Sequence, residues 1–130
     1  MPVPFDSQKK YYRSPFGAVE QDTAISLRIL VPRSLHTQKA ELCVKYDYDY
    51  NWVFTNFLWA GTFDDNTEIW EGSFTPDKIG LYWYGFKLHT NEGIRYIVPS
   101  DAYNISTIEP SPGRSWQITC YKKGFTTPQW

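Results

Sequence analysis

Short segments in which apolar and polar residues alternate recur along the chain, and residues that favour turns separate them. Residues 23–31 place Ile25, Leu27 and Ile29 on one face, because successive side chains of a strand point to opposite sides. Residues 40–47 repeat the pattern after a polar turn. The alternation predicts half-buried β-strands, and no stretch shows the period of an amphipathic helix.

Further short runs are rich in β-branched and aromatic residues, which are frequent in strands. They span residues 52–59, 69–74, 81–88, 95–98 and 115–121. Asn91-Glu92-Gly93 predicts a hairpin between 81–88 and 94–98, because Gly near the end of a short loop supplies positive φ. About seven to eight such strands predict an all-β fold, an immunoglobulin-like antiparallel β-sandwich.

A chain of 130 residues is the size of one domain and can bury a core without disulfides. We expect residues 1–121 to form the β-sandwich module and residues 122–130, which contain a Gly, a Pro and isolated aromatic residues, to form a linker. Cys43 and Cys120 fall on different faces of their strands, which favours free thiols. No apolar run is long enough for a signal peptide or a membrane span, so we expect a soluble, bacterial cytoplasmic protein if Met1 is the native start.

The charge balance and the motifs exclude several functions. The chain has 13 Lys and Arg against 14 Asp and Glu, and this near-neutral balance lacks the basic field that nucleic acid requires. His36 and His89 are predicted to be solvated surface groups rather than general bases. Asp47-x-Asp49-x-Asn51 begins like a calcium loop, but Trp52 occupies the sixth position, where the loop needs Gly. We therefore expect no catalytic residue, no metal and no cofactor.

Aromatic residues are 18% of the chain, and such side chains combine an apolar ring with a polar group suited to contact surfaces. The spacing of Tyr46, Tyr48, Tyr50 and Trp52 predicts a same-face ladder on one strand. Core packing is the expected role of the rings in clear strands, namely Trp70, Phe74, Tyr82, Tyr84 and Trp116. In the segment Gly80-Leu-Tyr-Trp-Tyr-Gly-Phe86, Trp83 is out of phase with its aromatic neighbours, so only one of the two faces can be core.

The rings that are not assigned to the core form a candidate sugar site, because sugars stack their C–H faces on flat rings and hydrogen-bond to polar neighbours. The predicted stacking residues are Trp83, Trp52 and Trp59. The predicted partners of sugar hydroxyls are Lys87, Asn51 and Asn56.

Three segments together resemble a known family. They are Tyr12-Arg-Ser-Pro-Phe-Gly-Ala-Val19, Gly80-Leu-Tyr-Trp-Tyr84, and Trp116-Gln-Ile-Thr-x-Tyr121 followed by Phe125-x-Thr-Pro-x-Trp130. In this order and spacing they resemble the N-terminal domain of glycoside hydrolase family 13 enzymes of the neopullulanase, cyclomaltodextrinase and maltogenic amylase type. The resemblance covers essentially the whole chain, whereas residues 47–60 are richer in Tyr and Trp than the shorter, charged hairpin that the family leads us to expect.

The resemblance implies a β-sandwich classed with starch-binding modules, joined through Phe125 to Trp130 to a catalytic barrel that is absent here. The implied parent hydrolyses α-1,4 and sometimes α-1,6 glucosidic bonds with carboxylates of that barrel, so no catalytic residue carries over to this chain. In several relatives this domain contacts the barrel of a second subunit. Two functions therefore stay open. The first is a noncatalytic α-glucan (starch or maltodextrin) binding module. The second is a structural domain that packs on the catalytic barrel or on a second subunit and shapes its active-site cleft without binding sugar itself. No nucleic acid or membrane partner is implied.

Overall fold

The computed structural model describes residues 3–15, 17–100 and 106–122. These residues form eleven strands and one short 3-10 turn, Arg33–Leu35. The strands are β1 (Arg13–Ser14), β2 (Val19–Glu20), β3 (Ile25–Pro32), β4 (Lys39–Tyr46), β5 (Val53–Asn56), β6 (Leu58–Asp64), β7 (Thr67–Phe74), β8 (Gly80–Thr90), β9 (Gly93–Pro99), β10 (Ser106–Glu109) and β11 (Trp116–Tyr121). Within the described ranges, no helix is long and apolar enough to span a bilayer.

The strands form two sheets, which confirms the predicted all-β sandwich. The smaller sheet has the order β1-β3-β7-β6. In the larger sheet, β8 pairs with β4 along one side and with β11 and β9 along the other. Strands β5, β10 and β2 extend this sheet outward from β4, β9 and β11, and all pairs are antiparallel except β2 with β11. The predicted hairpin is confirmed, since β8 and β9 are joined through Asn91 and Glu92.

The core lies between the sheets and is largely aromatic. Tyr84 stacks on Trp116 with ring centroids 6.0 Å apart. Phe5, which is fully buried, reaches the same cluster from the segment before β1 and lies 4.7 Å from the Phe86 ring and 4.8 Å from Trp116. The backbone of Phe5 makes two hydrogen bonds with Ser106. The Ser106 hydroxyl accepts a hydrogen bond from the Phe5 N–H and donates one to the Phe5 carbonyl, both at 2.7 Å.

The chain crosses from one sheet to the other at Phe57, and here two predictions were wrong. The predicted single strand 52–59 is two strands, β5 in the larger sheet and β6 in the smaller one. Between them Phe57 is buried against Gly72 of β7, and its amide donates to the Ala40 carbonyl at 2.8 Å. The predicted ladder from Tyr46 to Trp52 does not form, because β4 ends at Tyr46 and a turn follows.

The other sequence predictions concern the cysteines and the chain end. Cys120 is buried in the core cluster, whereas Cys43 lies on the outer face of the larger sheet, so the two thiols are free, as predicted. The last strand of the described residues, β11, ends at Tyr121. Residues 123–130 of the predicted linker lie outside the described residues.

Candidate functional site

The two faces of β8 divide its aromatic residues as the sequence alternation requires. Tyr82, Tyr84 and Phe86 are buried against the smaller sheet, and Trp70 and Trp116 are buried with them, as predicted. The outer face carries Trp83, Gly85 and Lys87, all partly exposed. The surface available for contact on this strand is therefore the face that carries Trp83.

A groove of about 270 Å³ crosses this outer face, and Gly85 lies in its floor. A Cβ placed on Gly85 would have the Ser115 hydroxyl, 4.0 Å away, as its nearest neighbour. The missing side chain thus leaves a gap in a strand that is otherwise rich in bulky residues. The groove is lined by Cys43, Trp52, Phe54, Gly85, Phe86, Lys87, Tyr96, Ile97, Val98 and the loop 112–115.

The walls of the groove are mainly aromatic and aliphatic. Phe54 faces Cys43 across the β4–β5 pair, and Tyr96 faces Lys87 across the β8–β9 pair. The Lys87 ammonium lies 5.4 Å from the centre of the Phe54 ring, within cation–π range. Burial raises the pKa of the Cys43 thiol to about 11, so this thiol is neutral near pH 7. The groove therefore offers apolar rings and a primary ammonium group that can donate hydrogen bonds.

Trp83 lies beside the groove rather than in its lining. Its indole N–H donates to the Asp47 carboxylate at 3.0 Å, which fixes the plane of the ring. Trp83 and Gly85 are two residues apart on the same face of β8, a spacing of about 7 Å along a strand. The ring thus extends the apolar face of the groove along β8.

The structure separates the remaining predicted site residues. Trp52 and Lys87 line the groove. Asn51 is exposed in the turn after β4, and Asn56 is exposed at the end of β5, opposite Glu41. Trp59 belongs to β6 in the smaller sheet, where its indole donates to Glu68 at 3.2 Å. Trp59 therefore does not share a face with Trp83.

Beside Asn56, a polar pair borders the outer face of the larger sheet. The Nε2 atom of His89 lies 2.5 Å from Oε1 of Glu41, which is itself nearly buried. The hydrogen bond with His89 lowers the pKa of the Glu41 carboxyl, and the nearby Lys39 and Lys87 act in the same direction. Because each group is held by the other, we assign the pair a structural role.

A second exposed surface is formed by residues 47–65, which we call the lateral edge. Of the eleven large apolar side chains that are exposed in the described part of the chain, eight belong to it. They are Tyr48, Tyr50, Trp52, Val53, Phe54, Leu58, Trp59 and Phe63. Trp52 and Phe54 also line the groove, so the two surfaces meet at β5.

Sequence reasoning missed three residues that shape the groove. Phe54 and Tyr96 each stand in a short run that predicts a strand without indicating which face is outward. Gly85 was the available signal, because Gly inside a strand often marks a place where another group approaches closely. Its position between Tyr84 and Phe86 indicates a gap in the outer face.

Comparison with known proteins gives weak sequence similarity over nearly the whole chain. No family model matches the sequence. The chain is 26% identical over 128 residues to an amylopullulanase of Thermoanaerobacterium thermosulfurigenes and 23% identical over 128 residues to one of Thermoanaerobacter thermohydrosulfuricus. Each match covers 96% of this chain but only 7% and 9% of the respective relative.

Comparison of structures gives a match in fold. A cyclomaltodextrinase superposes with a TM-score of 0.60 at 19% identity, over 92% of this chain and 18% of the cyclomaltodextrinase chain. The resemblance predicted from the three sequence segments is thereby confirmed at the level of the family: the chain is similar to an N-terminal domain of glycoside hydrolase family 13 enzymes.

Proposed function

We propose that this chain is a noncatalytic accessory domain of an amylolytic glycoside hydrolase and binds α-glucan oligosaccharides in the groove over Gly85. The observation that carries the proposal is the groove itself, in which aromatic rings surround a floor without a side chain. Such a site accepts the flat apolar face of a glucosyl unit between rings. Hydrolysis would take place in another domain of a longer protein.

The polar groups near the groove suit a neutral polyhydroxylated ligand. The Lys87 ammonium has three donors, and its position over Phe54 leaves it beside any ring that stacks there. Asn51 and Asn56 stay candidate partners from the exposed edge of the same surface. Trp83, with its indole held by Asp47, would stack the next unit of a chain that continues along β8. The proposed site therefore combines Trp52, Phe54 and Tyr96 with the outer face of β8.

The test is titration of the chain with maltoheptaose, followed by tryptophan fluorescence and by calorimetry. We expect saturable binding in the high-micromolar to millimolar range, about 4–6 kcal/mol, because a shallow groove encloses only part of the ligand. Gly85→Val should abolish it by filling the floor. The nearest neighbour of a Cβ at this position is 4.0 Å away, and circular dichroism checks that the larger Val side chain leaves the fold intact.

Two further variants complete this experiment. Trp52→Ala and Trp83→Ala should each weaken binding about tenfold, roughly 1.4 kcal/mol, because each removes one flat ring on which a glucosyl unit would stack. Trp59→Ala is the matched control, since this exposed Trp lies on the other sheet. Absence of any saturable response to millimolar sugar would refute the proposal, and so would undiminished binding by a folded Gly85→Val variant.

A structural role is the second candidate function, and the lateral edge favours it. Exposed apolar side chains concentrate there, mostly outside the groove. A domain that packs on a catalytic barrel or on a second subunit through this edge needs no sugar affinity of its own. In that case the titration gives no signal while the lateral edge still binds a protein partner.

A further inference from the structure

The lateral edge consists of two edge strands joined at Phe57. In the described ranges, β5 pairs only with β4 and β6 pairs only with β7, so each strand ends its sheet. On β6, Leu58 is 75% exposed, Trp59 is 56% exposed and Phe63 is 47% exposed. A concentration of exposed apolar side chains in one segment marks a candidate contact site in a soluble protein.

The sequence around this edge is acidic. No Lys or Arg occurs between Lys45 and Lys78, whereas seven of the 14 acidic residues of the chain lie in that interval. Two of these seven carboxylates, Glu71 and Asp49, form ion pairs with Arg28 and Lys78, which lie outside the interval in sequence. Three others, next to the turn between β6 and β7, make no ion pair with any described residue; they are Asp64, Asp65 and Glu68. Two cations from other segments also reach the edge, since Arg33 donates to the Asp65 carbonyl at 3.2 Å and Lys87 lies over Phe54. The acidic character is therefore strongest at the turn after β6, where three carboxylates face one guanidinium group, beside the exposed apolar side chains of β6.

Strand addition does not suit this edge. Strand β6 carries irregularities of register between Trp59 and Gly61 and again between Thr62 and Asp64. Such bulges twist an edge strand away from regular pairing. Strand β5 is regular but has only four residues. A partner would consequently contact side chains rather than extend a sheet.

A second copy of the chain does not suit the edge either. Two-fold apposition would place one acidic surface against its own copy, and an excess of like charge at an interface is repulsive. Favourable docking requires cations set among apolar side chains on the other surface. The chain matches only 7% and 9% of the length of the amylopullulanases that it resembles, so a domain of the same polypeptide is the partner that we consider. For a domain joined by a linker a small contact suffices, because the linker raises the effective concentration of the two surfaces.

We propose that the lateral edge docks against a protein surface that carries Lys and Arg among apolar side chains, on a neighbouring domain of the same longer polypeptide. The proposal rests on the second candidate function and adds the surface and the chemistry of its partner. The edge shares Trp52 and Phe54 with the groove, but its β6 half is separate, because Leu58, Phe63 and the carboxylates that follow them lie outside the groove lining.

The test uses two short synthetic peptides of equal length as probes of the whole chain. In the first peptide, apolar residues (Leu and Ala) alternate with Lys. The second peptide has the same sequence with Glu in place of every Lys. Backbone amide shifts in NMR spectra report where each peptide binds. We expect shifts of residues 58–65 with the basic peptide and affinity at least about tenfold weaker for the acidic peptide.

Variants assign the effect to the edge. Leu58→Ser and Asp65→Lys should each weaken the basic peptide about fivefold, roughly 1 kcal/mol, and both side chains are exposed, so the fold is kept. Ile79→Ser is the matched control, because Ile79 is equally apolar and 50% exposed but lies outside the edge. Gly85→Val should leave peptide binding unchanged, which separates failure of this proposal from failure of sugar binding.

Each contrary result overturns the proposal. Equal affinity for both peptides would show that charge does not select the partner, and shifts in the groove or shifts scattered over the surface would place the contact elsewhere. No binding by either peptide would show that the edge has no such affinity. If the chain self-associates in sedimentation experiments and Leu58→Lys abolishes this self-association, the partner of the edge is a second copy of the chain.

Discussion

Substitution of Gly72 by Ala should greatly reduce the free energy of unfolding of this domain, although it adds a single methyl group. An ideal Cβ at Gly72 lies 2.1 Å from Cδ1 and 2.3 Å from Cε1 of the Phe57 ring. Because carbon atoms pack at about 3.5–4.0 Å, the ring must move by about 1.5 Å. It has little freedom to do so, since Phe57 is 3% exposed and its amide is bound to Ala40.

We expect Gly72→Ala to cost about 3 kcal/mol, the upper end of ordinary overpacking, and Phe57→Ala to cost about 3–5 kcal/mol. The double variant should be about as unstable as Phe57→Ala alone, because the new methyl group enters the space that the ring leaves. The coupling energy is then about 3 kcal/mol, measured from urea denaturation curves with a constant m value. Gly85→Ala is the control and should be neutral or slightly stabilising, since nothing crowds its Cβ. Additive effects of the two core substitutions would refute this account of the crossover.

Three further predictions concern titratable groups. Because the hydrogen bond with His89 lowers the pKa of Glu41 in the fold, its contribution to stability is present at neutral pH and is lost as the pH falls through that lowered pKa. Glu41→Gln should therefore cost about 1–2 kcal/mol at pH 7 and progressively less in acid, and a loss in urea melts that does not depend on pH would contradict this. With its pKa at about 11 rather than 9.0, Cys43 should react with iodoacetamide about 100-fold more slowly in the native chain than in urea, as measured by mass spectrometry; equal rates would be inconsistent with burial. The Tyr82 hydroxyl accepts from the Lys78 amide at 2.9 Å, so Tyr82→Phe should cost about 1–2 kcal/mol in urea denaturation with an unchanged m value, and a neutral effect would show that this bond does not stabilise the fold.

Alternation was sufficient to predict the sheet faces where the apolar residues keep one phase. Ile25, Leu27 and Ile29 are all buried, as are Ala40 and Leu42. In β8 both phases carry rings, and the choice depends on what β4 and β11 bring alongside, which no local pattern contains. The outward position of Trp83 was therefore predictable only as one of two alternatives.

The lateral edge was predicted less well, for an identifiable reason. A strand ends where turn residues stop its ladder, but the run 52–59 contains no Gly or Pro at the point where the chain changes sheets. The change occurs at Phe57, whose burial depends on the space over Gly72, fifteen positions further along the chain. The contact of this ring with a glycine of another strand depends on the tertiary structure, so the local sequence does not reveal it. The exposed surfaces of β5 and β6, on either side of Phe57, depend on the same contact.

The attachment of Phe5 to Ser106 has a consequence for how the domain folds. The two hydrogen bonds close a separation of 101 residues, and β2 joins β11 across a comparable span. Contacts this distant in sequence slow the search for the native topology, so we expect folding on the millisecond-to-second scale of other β-sandwiches. During synthesis the first residues must wait until nearly the whole chain has left the ribosome, and until then the ring that completes the aromatic core stays exposed to solvent or to a chaperone.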